Sequence, residues 1–409
     1  TISKITLPNG DDTFVNQNQA YSSLNLGLSQ NVGATGGVLT LGSTLSRIDV
    51  FGNNRQVSYS SMPVSISYNQ ETIGFNEFRW LKKMEPIRFE VADRAFLTNM
   101  EQISTETVNL FFSMLAAQAR QALSAQNMAS TDTLLQISRE RFKLGTVSQS
   151  ELLQLRLSLL TAQKQLTQDS IDLVLARQQF SQYLALPDDM SWLLTMPEET
   201  RYFDVTFDKA LQMANDNSKD VLQFRLNRLE AEKDLAQVRA ESNLKFNVQA
   251  NFGLSNVSPD IPGLFRQLEN QQHIIVGFSL PILDWGNAKT KRLRAEADLA
   301  MVESEIEQNQ MKIEQEVALQ VAKWSLQKQQ IEVARESRAI AEENYELEKQ
   351  RYMMGSITLN DLNVAQRAKD EAYNAFYEAI RTYWELYYSL RRITLFDFEK
   401  EEMIKYVAE

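Results

Sequence analysis

From Ala20 onward the chain alternates between apolar and polar residues with a period of two. Leu24, Leu26 and Leu28 stand against Asn25, Gly27 and Ser29, and Leu39 and Leu41 against Thr40 and Gly42. A third stretch sets Val64, Ile66 and Tyr68 against Ser65, Ser67 and Asn69. The second half does the same. Phe246, Val248, Ala250, Phe252 and Leu254 alternate with polar and small residues, and Ile274, Val276, Phe278 and Leu280 form a further run that ends at Pro281. Such alternation predicts β-strands with one apolar face. About ten residues of it is the length a tilted strand needs to cross a bilayer, and the half-buried strand of a soluble sheet alternates in the same way. At this point both readings stand. The glycine-rich residues 33–37 are read as a hairpin turn, because no Lys-Ser/Thr and no helix follow them.

Each strand cluster leads into a helical pattern of unusual length. There is no Gly or Pro between Pro86 and Gly145, nor between Gly286 and Gly355. Those runs predict continuous helices of about 85 and 100 Å. The return helices carry a heptad seam: Leu152, Leu159, Leu166, Leu173 and Phe180 in the first, Ala365, Ala372, Ala379, Leu386 and Ile393 in the second. Seven-residue spacing with small residues predicts close, coiled-coil-like helix packing. Tyr383, Trp384, Tyr387 and Tyr388 cover a broad helical arc and are read as inter-helix packing.

The turns between the long and return helices repeat. Arg141-Phe142-Lys143-Leu144-Gly145-Thr146-Val147-Ser148 recurs 210 positions later as Arg351-Tyr352-Met353-Met354-Gly355-Ser356-Ile357-Thr358. Gly145 and Gly355 suit a left-handed residue at a helix end. Ser148 with Glu151, and Thr358 with Asp361, fit capping boxes that start the return helices. The fold class is therefore mainly α with a β portion, as two tandem repeats of strands, long helix, turn and helix. Expected boundaries are a loop at 1–18, strands at 19–70 and a helical hairpin at 84–186 with its tip at 144–149. A linker at 187–205, a leading helix at 206–244 and strands at 245–282 follow. The second hairpin takes 287–396 with its tip at 354–359, and a tail takes 397–409. The second repeat opens with a helical segment over 207–241 for which the first has no counterpart, so an upstream helix before Thr1 is expected.

Composition narrows the chemistry. With no cysteine and one histidine, His273, cysteine-type zinc sites, thiol chemistry and a histidine-built metal site are excluded. The 42 Lys and Arg against 53 Asp and Glu, a net charge of −11, argue against nucleic acid as a partner. No run of 18 apolar residues predicts a spanning helix, which says nothing against barrel strands. No catalytic constellation is visible, and neither an enzyme nor a cofactor or metal is expected. Trp285 and Tyr68, near strand ends, suit either an interface girdle or simple packing.

The order of strand pair, long helix, Arg-aromatic-x-x-Gly-x-Val/Ile-Ser/Thr turn and return helix, used twice, resembles the TolC-like outer-membrane efflux protein family. Residues 277–286, from Gly277-Phe278-Ser279-Leu280 to Asp284-Trp285-Gly286, and the small and charged run after them are also similar to that family. The resemblance covers nearly the whole chain from Ala20. It implies a homotrimer whose subunits pool strands into one shared outer-membrane β-barrel, with a trimeric α-helical barrel in the periplasm. It implies a passive duct that receives small molecules or secreted polypeptides through a periplasmic adaptor and an inner-membrane pump. The tip residues Gly145, Thr146, Val147 and Ser148, with Gly355, Ser356, Ile357 and Thr358, would then dock the adaptor. Asp361, Glu151 and Tyr352 would contribute to a periplasmic gate. The match to the family's gate is partial, since Val364 replaces a second acidic position and Ile357 replaces an arginine. The competing reading is a non-membrane coiled-coil scaffold; the outward face of the strands separates the two.

Overall fold

The computed structural model describes every residue except 1, 7, 9, 17, 53–54, 72–73, 188–192, 198–200, 243–244, 281 and 407–409. Pro281, the expected strand end, and much of the expected linker at 187–205 lie outside the described residues. The chain forms two compact units: residues 1–89 with 223–306, and residues 90–222 with 307–409.

The first unit holds an antiparallel sheet of strands β3 (Asn18–Val32), β4 (Gly37–Phe51), β5 (Gln56–Gln70), β6 (Lys245–Ser258) and β7 (Glu269–Ser279), in that order. The central pairing joins the two repeats, because β5 lies beside β6 with Ile66 opposite Phe252. Alternation fixes what each face carries. Leu28, Leu41, Ile66 and Phe252 form one cross-strand row, and Leu39, Tyr68, Ala250 and Ile274 form the next. The opposite face carries the row Ser29, Thr40, Ser67, Asn251 and His273. The turn between β3 and β4 is the expected hairpin, with the Gly36 and Thr35 amides donating to the Val32 carbonyl and Gly36 at φ +87°.

Ahead of this sheet lie β1 (Ile2–Thr6) and β2 (Asp12–Asn16), paired antiparallel from Ile2↔Asn16 to Thr6↔Asp12. This corrects the expected loop at 1–18. The turn formers Pro8, Gly10 and Asp11 lie in the connection, and the flanking short runs are too brief for a period to register.

Helix α1 runs Glu77–Lys143 and α5 runs Asn287–Met354. Helix α1 starts earlier than the expected 84 and takes Pro86 into its interior, where the ring forgoes one backbone hydrogen bond. Asp284 caps α5: its carboxylate accepts from the Gly286 and Ala288 amides at 3.0 and 2.7 Å. The return helices are α2 (Gln149–Tyr183) and α6 (Leu359–Thr394). The segment read as one leading helix is two, α3 (Phe207–Asn217) and α4 (Lys219–Glu241), broken at an extended Ser218. The break is held by Asn217, whose side chain donates to the Thr394 carbonyl at 3.2 Å while Arg94 binds its oxygens.

The core of the second unit gathers Phe112 and Leu115 of α1, Val317, Trp324 and Ile331 of α5, and Phe376, Tyr383, Tyr387 and Leu390 of α6. Each fully buried large apolar side chain contributes roughly 1.5–3 kcal/mol. Trp324 and Tyr383 stack at 5.1 Å between ring centroids, and the Trp324 indole donates to the Phe203 carbonyl. The aromatic arc of α6 is thus packing, as its spacing suggested. The expected C-terminal tail is also ordered structure. Strands β8 (Phe396–Asp397) and β9 (Glu402–Met403) pair, and Phe396, Phe398 and Ile404 are buried. Asp397 lies 2.7 Å from Arg391, which also grips the fully buried Glu101 at 2.9 Å, and Tyr406 donates to the same carboxylate.

Candidate functional site

Both tips sit in the second unit, and the same backbone device builds each. At the end of α1 the Gly145 amide donates to the Phe142 carbonyl at 3.0 Å and the Thr146 amide to the Arg141 carbonyl at 3.0 Å. At the end of α5 the Gly355 amide donates to Tyr352 and the Ser356 amide to Arg351, each at 2.9 Å. This pair of bonds satisfies carbonyls that a helix end would leave bare, and it needs a left-handed residue. Gly145 (φ +74°) and Gly355 (φ +80°) supply it.

The return helices start differently. Thr358 caps α6 in a complete capping box, accepting from the Asp361 amide at 3.3 Å while the Asp361 carboxylate accepts from the Thr358 amide at 3.0 Å. Those bonds from Thr358 hold the Asp361 carboxyl below the usual range. Ser148 caps α2 by accepting from the Glu151 amide at 3.2 Å, but the Glu151 carboxylate does not return to complete the expected box. It accepts instead from the Tyr352 hydroxyl at 2.8 Å. That hydroxyl belongs to the other tip.

Tyr352 is nearly inaccessible, and burial pushes its phenol up to about 12. Ser138 lies 3.4 Å from the same hydroxyl, and Arg141 donates to the Tyr352 carbonyl at 3.3 Å. Two of the three expected gate residues, Glu151 and Tyr352, are therefore in direct contact; the Asp361 carboxylate stays with its own helix start. Of the eight expected docking residues, Gly145, Thr146, Ser148, Gly355, Ser356 and Thr358 are exposed, Ile357 is half-buried and Val147 is buried. Leu152, Leu159 and Ile357 pack around the buried cluster of Leu155, Tyr345 and Leu362. Two exposed apolar residues at the tips were not among those expected, Leu144 and Met354, which immediately precede the two glycines and are 78% and 72% exposed. Equivalent apolar residues in both copies of the turn were the available signal.

Above the tips a polar ladder continues through the helix cluster. Ser130 lies 3.1 Å from the Tyr345 hydroxyl, and Lys369 sits 4.1 Å over the Tyr345 ring while donating to Asn127. Asn127 donates in turn to Asp370 at 3.1 Å. Burial lowers the Lys369 ammonium and raises the Asp370 carboxyl. A cavity of about 680 Å³ opens beside them, lined by polar side chains of α1, α2 and α6 that include Arg120, Gln165, Asn363 and Arg367. A lysine inside the alanine stripe of α6, at position 369, was the sequence's sign of this ladder.

Among the described residues no group of three or more His, Asp or Glu is arranged to hold a metal, and no helix is long and apolar enough to cross a membrane. In the sheet, the row-forming apolar residues are exposed: Leu24, Leu26 and Leu28 at 71–77%, Ile274, Val276 and Phe278 at 62–74%. Trp285 is 92% exposed, so it has little packing among the described residues.

Residues 210–394 match the profile of the family described as outer membrane efflux protein. No curated protein is matched by sequence. Among solved structures, the chain is similar to the outer-membrane channel OprN at 13% identity and TM-score 0.68, over 92% of this chain and 81% of that one. It is similar to the Campylobacter jejuni CmeC outer membrane channel at 16% identity and TM-score 0.65, over 92% and 77%. It is similar to the outer membrane protein VceC of Vibrio cholerae at 13% identity and TM-score 0.66, over 92% and 87%. At these identities the likeness concerns the fold.

Proposed function

The chain is a TolC-like outer membrane efflux protein, and on that premise we propose that it is a passive outer-membrane export duct, working as a homotrimer. The observation that carries this is the sheet's exposed apolar face, whose rows each cross four strands: Leu28, Leu41, Ile66 and Phe252 from β3 to β6, and Leu39, Tyr68, Ala250 and Ile274 from β4 to β7. In water such a face costs roughly 25 cal/mol for every Å² left uncovered. Facing lipid it costs nothing, provided that no strand edge is left open there. Five strands leave two edges and are too few to close a barrel, so copies must pool their strands. A polar inner face of Ser, Thr, Asn and Gln then lines a water-filled passage.

The helices lie in the periplasm on this reading, and the tips dock a periplasmic adaptor that leads to an inner-membrane pump. The exposed Gly145, Thr146 and Ser148 with Gly355, Ser356 and Thr358 form the contact, joined by Leu144 and Met354 as apolar anchors. Tyr352 with Glu151 ties the two tips of one chain together as part of the gate, and Asp361 offers a carboxylate at the mouth. The cargo is of the class the resemblance implies, small molecules or secreted polypeptides. Purified protein in a planar bilayer is expected to show discrete single-channel currents. A protein that stays out of bilayers and shows no current would be the coiled-coil scaffold instead. Docking is tested separately, by Leu144→Asp with Met354→Asp: export is lost while bilayer currents remain. Normal export by that variant would remove the docking role.

A further inference from the structure

Two helices carry a second apolar seam that no described residue covers. On α5, Val317, Trp324, Ile331, Tyr345 and Tyr352 share one heptad phase and are buried, whereas Leu319, Leu326, Val333, Ile340, Leu347 and Met354 are 52–72% exposed. The exposed series lies two residues on from the buried one, which at 100° per residue is about 200° around the helix, the opposite side. Helix α2 repeats the arrangement. Its Leu155 and Asp169 phase is buried, and two residues before it Leu153, Leu160 and Val174 are 57–63% exposed, with Thr167 between them.

The two outward seams match in level. The Tyr352–Glu151 bond puts the end of α5 beside the start of α2, and the helices run in opposite directions from there. Leu153 lies eight residues after Gly145 and Leu347 eight before Gly355; Leu160 and Ile340 are each fifteen away, Thr167 and Val333 twenty-two, Val174 and Leu326 twenty-nine. Charge matches in the same register. Lys164 is nineteen residues after Gly145 and Glu336 nineteen before Gly355. Arg156 falls within one residue of the level of Glu343. All four charges are exposed, and among the described residues none of them has an ion-pair partner.

We propose that α2 of one copy packs antiparallel against α5 of the next copy along these seams, with Leu153 beside Leu347, Leu160 beside Ile340, Val174 beside Leu326 and Lys164 paired to Glu336. The inference rests on the oligomeric duct reading and specifies its helical interface. The contact joins two different faces, so it repeats head to tail and closes a ring of copies. Heptad spacing on both partners gives the interlocking side chains that such a contact needs.

The chain has no cysteine, so pairs can be introduced without background. Leu160→Cys with Ile340→Cys brings two sulfurs within disulfide reach only if the register holds. Oxidation in outer-membrane vesicles is expected to give species at two and three times the monomer mass, while either single variant stays monomeric on a denaturing gel. Leu160→Cys with Leu319→Cys, about 30 Å out of register at 1.5 Å per residue, stays monomeric too. Lys164→Glu should cut the yield of the in-register pair, and adding Glu336→Lys should restore it. Dimers from Leu160→Cys alone would mean that α2 meets α2 and would overturn the proposal. So would an absent cross-link in vesicles where an amine cross-linker still traps trimers; the duct reading would then survive. If the amine cross-linker traps only monomers, the oligomeric reading itself falls, and this interface with it.

Discussion

Removing one oxygen from Tyr352 tests whether the two tips are tied. In Tyr352→Phe the ring stays in its buried site, so no cavity forms and the packing contribution is kept. What goes is the 2.8 Å bond to the Glu151 carboxylate and the longer 3.4 Å contact with Ser138. A hydrogen bond to a charged group contributes roughly 1.5–3 kcal/mol, and the half-exposed Glu151 points to the lower end. About 1.4 kcal/mol is tenfold in an equilibrium. The untied fraction of tips is thus expected to rise about tenfold in each subunit. Single-channel recording in a planar bilayer reads this as a longer dwell in the high-conductance state. Ser138→Ala should do much less.

The same bond has an alkaline signature. Burial raises the Tyr352 phenol to about 12 from its ordinary 10. The native tip therefore holds the proton more tightly than the unfolded chain does, and the tie is fully present below pH 10. Its contribution falls as pH rises from 10 towards 12. The wild-type open fraction should accordingly hold level up to pH 10 and rise above it, and Tyr352→Phe should lack that step. Identical open fractions for the variant and the wild type at neutral pH would mean that the bond holds nothing shut.

Two further outcomes follow from buried charge and from the sheet. Glu101 is fully buried against Arg391 and Tyr406, so Glu101→Ala leaves Arg391 with Asp397 as its one carboxylate and Tyr406 without its acceptor, and should cost about 3 kcal/mol, the low end for breaking a buried pair. Calorimetry should show a large fall in melting temperature, and a shift of only a degree or two would mean that water replaces the carboxylate freely. On the sheet, Leu41→Arg puts a charge on the apolar face at a depth-dependent cost of about 2–4 kcal/mol, while Thr40→Arg, one residue away, faces the polar side. Membrane recovery should drop for the first and hold for the second; equal recovery of both would contradict a lipid-facing row.

Much of this fold was legible because its periods are long and uniform. Strand alternation from Leu24 to Leu28 and from Phe246 to Leu254, and the Gly- and Pro-free runs before Gly145 and Gly355, each point to one element type over many turns. Legibility failed where an element was short or a single contact decided it. The 2–6 and 12–16 pair is too brief to show a period. Ser218 breaks the leading helix because Asn217 is recruited by Thr394 and Arg94, both remote in sequence. The C-terminal residues looked like a tail until Arg391 and the buried Phe396 and Phe398 tied them down. At the tips, the family resemblance named Tyr352 and Glu151, which the fold brings into contact. It could not tell that Val147 turns inward, since both turns read alike.

The two turns are nearly identical in backbone, yet their acids do different work, and one methylene separates them. Asp361 is short, and its carboxylate folds back to the amide and hydroxyl of Thr358. Glu151 holds the same third position of its helix, but its longer side chain reaches Tyr352 on the other tip. Glu151→Asp is therefore expected to exchange one bond for another: the shorter acid completes a capping box with Ser148, and the Tyr352 hydroxyl loses its acceptor. A capping box supports its helix by roughly 0.5–2 kcal/mol, so overall stability should change little while the tie between tips is lost. The melting temperature of Glu151→Asp should stay near wild type, and its channel should dwell open as Tyr352→Phe does. Glu151→Asp in the Tyr352→Phe background should then add nothing further, because both act on the same bond. Additive opening by the two changes would show that Glu151 holds the tip shut through some other partner, and that the one-methylene difference is incidental.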